Sequence, residues 1–509
     1  MRKYLLISLC CLIASVSAEH LNSKHQHHQN SKTSSDVNQL VAAMMQQTPV
    51  IDDLKTLTDQ VGARLTGSKA NLAAVDWAIQ RFEQAGVKVK KEAFTMPRSW
   101  FENSTTAHIE GDGITFTPGV LAQPFTYANA KAMAAPLVNL HHGLAADFAR
   151  QSVKDKWVLV YTDVLDDTAG MSGLFSEYVE APHIEKLALQ HQVKGLIYMS
   201  SRPKNMLYRH LPSTASANQL PIILMEREHA LRTQRLLDKG HQLIFSPNID
   251  TVEGGQYQSF NVVAEITGSK YPDQYVVIGA HIDSFDLGTG ALDNGSNSVI
   301  MIDLARQIKR LGLQPKRTMR FVLYNGEEQG LYGSWAYTKT HADELDNTVM
   351  TATMDVGTGR VNGFFTNGRA DIIEALNQVL APVAALGPFT QVNQTLVGTD
   401  NYDFMMQGVP NLVANQTDAN YASNYHGESD TFDKVDQRQL KLNSAIAAAM
   451  IYGFANLENI TWRRQTAKEV LQLVKDNDVE SQMTFFGLLP SWLDNSRGIK
   501  EAELNKIRN

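Results

Sequence analysis

Several stretches of this chain end in acids or histidines whose order and spacing let them act together. His281-Ile282-Asp283 follows the apolar run Tyr275–Gly279, and a loop containing Gly288, Gly290 and Gly295 then presents Asp293-Asn294 ahead of a helical pattern. Met319–Tyr324 runs into Asn325-Gly326-Glu327-Glu328, and Val349–Met354 runs into Asp355-Val356-Gly357. Tyr425-His426-Gly427 lies in a polar loop before the last long helical pattern. Each group alone is an ordinary cap or polar strand end. Together, His281, Asp293, Glu328, Asp355 and His426 offer two imidazoles and three carboxylates, all expected on one edge of one sheet. Oxygen and nitrogen donors without a thiolate suit zinc, manganese or cobalt in a hydrolytic site. Five donors serve two ions if one carboxylate bridges them, and two ions about 3.5–4 Å apart can share a hydroxide nucleophile and stabilise the oxyanion that forms. In the doublet Glu327-Glu328, adjacent side chains point differently, so Glu328 can ligate while Glu327 faces the water as general base. Asp283, two residues after His281, is placed to hold the second nitrogen of that imidazole.

The elements that must position these groups read as an α/β fold. From 260 to 457 apolar strand-like runs, including Asn411–Val413, alternate with the helical patterns Ser298–Arg310, Ile372–Ala385 and Gln439–Leu457, which predicts a sheet with helices on both faces. In such sheets ligand-binding residues gather beyond the carboxyl ends of the strands. Upstream, Leu72, Val75, Ala78, Ile79 and Phe82 form one helical face, and Val87–Phe94 alternates apolar with Lys and Glu as a half-buried strand does. The stretch from 124 to 248 differs in texture, with short strands at Trp157–Tyr161, Gly195–Met199 and Pro221–Met225 and two helical patterns. Beyond Ile460, Val470, Leu471 and Val474 predict one short helix, and Phe485–Trp492 an apolar clasp.

Composition sets the outer bounds. With 509 residues, 43% hydrophobic and 19% charged, the chain is folded protein of two or three units and not a coiled coil or a disordered segment. A net charge of −7 argues against a nucleic-acid partner. Arg2-Lys3, the apolar run Tyr4–Val16 and the small residues Val16-Ser17-Ala18 read as an export signal over 1–18, too short for a stable membrane span. Cys10 and Cys11 both fall inside it, so the mature chain has no cysteine and is expected to work outside the cytoplasm, secreted or periplasmic, without disulfides. A His-rich leader (19–35) reads as flexible.

The order HxD, Gly-rich Asp-Asn, Glu-Glu-x-Gly, Asp-x-Gly and Tyr-His resembles the co-catalytic di-zinc exopeptidases of aminopeptidase and glutamate carboxypeptidase type. So do the stretches Ala264–Pro272, Leu311–Thr318 and Gly398-Thr399-Asp400, and the resemblance covers about residues 40 to 458. It implies the zinc-exopeptidase (phosphorylase/hydrolase-like) fold, a mixed α/β sheet flanked by helices, over 36–123 and 256–458. A β-rich protease-associated insert would occupy 124–255 and a C-terminal extension 459–509. It implies two Zn2+, with Mn2+ or Co2+ as substitutes: His281 and Asp355 on the first, Glu328 and His426 on the second, and Asp293 bridging. Glu327 matches the catalytic base, Asp283 the acid that supports the histidine, and Tyr425 a tyrosine that steadies the tetrahedral intermediate. Thr399-Asp400 resembles a substrate-side loop, and relatives of this kind are often homodimers. The expected activity is hydrolysis of short peptides from one end, as a carboxypeptidase or dipeptidase. The alternatives are an aminopeptidase on the same site, a non-catalytic binding ectodomain, or an acyltransferase of the glutaminyl cyclase kind. Asn294 departs from the family, where many members carry a second Asp.

Overall fold

The computed structural model describes residues 34–128, 133–168, 170–213, 217 and 219–498. The expected export signal and nearly all of the leader lie outside these residues. Among them, no helix is long and apolar enough to cross a membrane. A helix over 34–45 opens the described chain.

The described strands form two sheets, and the second is one contiguous excursion from the first. After β1 (Lys88–Met96) the chain builds β2 (Ser99–Gly111), β3 (Ile114–Phe116), β4 (Val120–Ala122), β5 (Ala135–Asn139), β6 (Trp157–Val160), β7 (Gly195–Met199), β8 (Ile222–Met225) and β9 (Leu243–Gly254). It then returns for β10 (Tyr257–Ile266), β11 (Tyr271–His281), β12 (Arg317–Tyr324), β13 (Thr348–Thr353), β14 (Val361–Phe365) and β15 (Asn411–Gln416). The first sheet has the order β1-β10-β12-β11-β13-β15-β14. Its inner strands β12, β11, β13 and β15 are parallel, and the flanking strands are antiparallel. This is the expected mixed sheet.

Its burial follows from the alternation of side chains along a strand. Val276, Ile278 and Ala280 of β11 pack into a core with the helices Lys69–Gln84, Ser296–Arg310 and Gln437–Asn456. Val277 points the other way, towards Tyr337 and Phe404. β12 is buried along its whole length, as a central strand covered on both faces must be. Truncating Ile278 to Ala would cost about 2–5 kcal/mol through lost burial and the cavity left behind. Ser68 and Asp436 cap two of these helices by accepting hydrogen bonds from the Asn71 and Gln439 amides, at 3.0 and 2.9 Å.

The second sheet has the order β3-β2-β9-β5-β6-β7-β8-β4. It begins ahead of the expected boundary at 124, because β2 pairs along most of its length with β9 and only Pro97-Arg98 separate it from β1. The C-terminal residues form three helices where one was expected: Ala467–Asp476, Val479–Phe485 and Leu489–Leu493. Their apolar faces, with Val470, Leu473, Met483 and Trp492, cover Tyr402 and Met405.

One side chain ties the loops at the top of the first sheet together. Arg64, fully buried, donates from Nε to the Ile282 carbonyl (2.7 Å) and through its terminal nitrogens to the carbonyls of Gly62 (3.1 Å), Thr289 (2.6 Å) and Gly290 (2.8 Å). Burial lowers its pKa to about 10, so it stays charged at neutral pH. Gly290 has φ +60°, and a Cβ there would stand 2.7 Å from the guanidinium. Arg64→Ala should therefore strand several buried carbonyls at about 1–3 kcal/mol each. Urea denaturation should show a loss of at least ~3 kcal/mol by that reckoning; a loss within experimental error would contradict this account of the loops.

Candidate metal centre

Three parallel strands deliver the first groups. β11 ends at His281, β12 leads through Asn325 to Glu327 and Glu328, and β13 stops just short of Met354-Asp355. Because these strands are parallel, their ends share one edge. Asp293 arrives from the loop beyond β11, where the Asp430 carboxylate accepts the Leu292 amide (2.6 Å) and the Asp293 amide (3.1 Å). His426 comes from the loop after β15.

The five expected donors meet. Nε2 of His281 lies 3.0 Å from Asp293 Oδ1 and 3.1 Å from Asp355 Oδ1. Nε2 of His426 lies 3.3 Å from Asp293 Oδ2 and 3.0 Å from Glu328 Oε2. Two potential ion sites result, His281-Asp293-Asp355 and Asp293-Glu328-His426, joined at Asp293. Glu327 stands apart, with an oxygen 4.0 Å from His281 Nε2 and its carboxyl facing the cleft.

The imidazole tautomers make this arrangement a test of metal fit. Nδ1 of His281 contacts the Asp283 carbonyl at 3.1 Å, and Nδ1 of His426 contacts the Arg209 carbonyl at 3.0 Å. A carbonyl only accepts, so each Nδ1 carries a proton, and Nε2 is the ring atom turned towards the carboxylate oxygens. Lone pairs 3.0–3.3 Å apart repel unless a cation or a proton lies between them. Two donors on a tetrahedral zinc at about 2.0–2.1 Å would stand about 3.3 Å apart. Glu328 Oε1 is buried and has no hydrogen-bond partner. The donor set thus fits hard-to-borderline divalent cations.

The electrostatics agree with a surplus of buried negative charge. Burial raises Glu328 to about 7 and pushes Glu327 well above the carboxylate range. Burial opposes charging His426, yet Glu328 and Asp293 lift it to about 9. His281 is held well above its ordinary value by Asp355 and Glu327, again against burial.

Asp283 differs from the expected arrangement. Its main-chain carbonyl, not its carboxylate, accepts from His281; the carboxylate oxygen is 3.7 Å from Nδ1. The carboxylate instead accepts the Thr66 hydroxyl (2.8 Å) and the amides of Glu327 and Glu328 (both 3.3 Å), so it sets the backbone of the doublet. Asn294 also has a local reason: its amide donates to the Met354 carbonyl at 2.9 Å, which an Asp carboxylate could not do. Tyr425 stacks on His426 with ring centroids 3.5 Å apart, and its hydroxyl meets that of Tyr178 at 2.8 Å. Arg64, Tyr178 and Asp430 were not singled out by the sequence. Only Asp430, four residues beyond His426 in the same polar loop, carried a signal there.

His426 has φ 57°, an uncommon conformation for a non-glycine residue, costing roughly 1–2 kcal/mol. A reciprocal pair of contacts offsets it, since the Arg209 amide donates to the His426 carbonyl at 3.1 Å while Nδ1 returns to the Arg209 carbonyl. The second sheet's loop after β7 is thereby built into the centre.

Asp283→Ala should remove the acceptor of two amides and a buried hydroxyl and lower stability by about 2–4 kcal/mol, from ~1–3 kcal/mol per stranded donor. Denaturation of the metal-free protein measures this. Unchanged stability would mean that the doublet is held by other contacts.

Residues 261–451 match the model of peptidase family M28. Carboxypeptidase Q from Bos taurus is 34% identical over 245 residues, 48% of this chain and 51% of the relative, so the alignment spans about half the length of that curated relative. The rat protein aligns at 28% identity over 80% of this chain and 85% of its own. Among solved structures, a peptidase M28 precursor from Shewanella amazonensis matches with a TM-score of 0.75 at 26% identity, covering 86% of this chain and 99% of that one. A zinc aminopeptidase from Bacillus subtilis shares the fold, with a TM-score of 0.62 at 18% identity over 79% of this chain and 93% of its own. The five candidate donor residues all fall inside the segment that matches the model of peptidase family M28.

Proposed function

We propose that this chain is an exported, metal-dependent exopeptidase of the carboxypeptidase Q kind, hydrolysing short peptides as a carboxypeptidase or dipeptidase. The observation that carries the reading is the pair of buried imidazoles turning their Nε2 lone pairs onto a shared Asp293. His281 and Asp355 would hold one zinc ion, Glu328 and His426 the other, and Asp293 would bridge. When bound, the ions supply Lewis-acid activation of water and of the scissile carbonyl.

The remaining chemistry belongs to the chain's own side chains. Glu327 faces the cleft and shares no donor of either group, so it takes the proton of the attacking water and delivers it to the leaving nitrogen. The Tyr425 hydroxyl, oriented by Tyr178, donates to the developing oxyanion. The second sheet is read as the protease-associated domain, and its loop residues His210 and Leu211 line a cleft of about 360 Å³. A cleft bordered in this way admits a chain end more readily than the loop of a folded protein. The basic-then-apolar start of the sequence supports export.

Glu327→Gln should keep fold and metal while lowering turnover by about 10²–10⁴-fold, the usual worth of a general base. Glu328→Gln should lower metal occupancy instead. Elemental analysis beside single-turnover rates separates the two, and equal metal content with equal residual rates would contradict this division of the doublet. With a ten-residue peptide, a product time course should show single residues or dipeptides leaving one end. Early appearance of two mid-sized fragments would refute the exopeptidase reading, and cleavage of a C-terminally amidated peptide but not an N-acetylated one would assign an aminopeptidase.

A further inference from the structure

The C-terminal helices reach the reacting groups. Phe486, just beyond the helix Val479–Phe485, has its ring centroid 5.1 Å from that of Tyr178 and 6.1 Å from that of Phe175. On its other side lies Gly398, with φ +117°, where a Cβ would come within 2.4 Å of the Phe486 ring. Glycine is thus required there twice, for its backbone angle and for the ring that covers it. Gln482 fastens the segment: its side-chain oxygen accepts the Val397 amide at 3.1 Å, and its nitrogen donates to Thr395 Oγ1 at 3.0 Å.

A second fastening lies further along. Arg497, buried, donates to both carboxylate oxygens of Asp403 at 2.8 Å and to the carbonyls of Gly330 and Leu331 at 2.7 Å. Those carbonyls belong to the turn that immediately follows Glu327-Glu328. The segment is therefore clamped on two sides of the centre, and Phe486 is held against the cleft rather than left on the surface.

Its position divides the space over the metal centre. Phe486, Tyr178, Tyr425 and Glu327 border both the cleft of about 360 Å³ and a smaller adjoining space of about 50 Å³. The larger space is walled by rings, among them Phe125, Phe285 and Trp335. The smaller one is lined in addition by Leu174 and Leu396. A peptide bond lying over Glu327 would send one flanking side chain into each space.

Resting on the peptidase reading, we propose that Phe486 is a specificity-determining residue that selects short peptides with a bulky apolar side chain on one side of the scissile bond and a small residue on the other. The larger space takes the bulky group against the Phe486 and Tyr178 rings, and the smaller space has room for a residue of the size of Gly or Ala. Size discrimination by an apolar pocket is worth about 10–200-fold.

The test uses the full chain with zinc bound and dipeptides pairing Ala with Phe, Leu, Ala, Asp or Lys in both orders. The wild type should favour Phe and Leu over Ala by at least ~10-fold in kcat/KM at one position only. Phe486→Ala should abolish that preference through KM, and Phe486→Leu should retain most of it. Calorimetry of Phe- and Ala-containing dipeptides on the metal-loaded Glu327→Gln background should show the same loss in Kd, independently of turnover. Uniform rates across side chains in the wild type, or an equal fall in kcat for every dipeptide with Phe486→Ala, would overturn the proposal. If the zinc-loaded wild type hydrolyses no peptide of any sequence or length, the peptidase reading itself fails.

Discussion

Two buried imidazoles have no choice about which way they face. His281 commits Nδ1 to the carbonyl of Asp283, and His426 commits Nδ1 to the carbonyl of Arg209. Both Nε2 atoms must then look onto Asp293, with Asp355 and Glu328 completing the two sides. Main-chain carbonyls are dependable partners here because they cannot donate or titrate, so the tautomer survives changes in the surrounding charge. The arrangement concentrates acceptors in a place that water scarcely reaches. That is costly for a protein alone and favourable around cations.

Much of the fold serves to hold this concentration of charge in register. The parallel strands bring three loops to one edge, Arg64 gathers the carbonyls of the loop from Ile282 to Gly290, and Asp430 fixes the amide of Asp293. The second sheet belongs to the same construction, since one outer partner of the centre is a carbonyl from its loop and Arg209 also pairs with Asp286, beside the HxD motif, at 2.7 Å. The C-terminal helices belong to it through Arg497 and the turn after Glu328. A change in either peripheral part is therefore felt at the reacting groups.

The strands and helices of the first sheet were legible because a strand covered on both faces is an unbroken apolar run and its helices are amphipathic, as in Met319–Tyr324 and Ser298–Arg310. The donor residues were legible because acids and histidines just past such runs are unusual in number and order. Apart from Asp430, what escaped had no local signature. Arg64 and Arg497 act through main-chain carbonyls distant in sequence, which no spacing rule encodes. The carbonyls that hold the imidazoles are invisible in residue type, so Asp283 drew attention for a carboxylate that turns out to brace the amides of Glu327 and Glu328. The early start of the second sheet was hidden because β1 passes into β2 across only two residues.

The central claim is that Asp293 is shared by two cations, each completed by one imidazole. Anomalous scattering at the zinc edge from crystals grown with zinc tests it most directly. The account predicts two strong peaks of comparable height, one among His281, Asp293 and Asp355 and the other among Asp293, Glu328 and His426. No anomalous peak among these residues, or a single peak that leaves Asp293 uncoordinated, would contradict it.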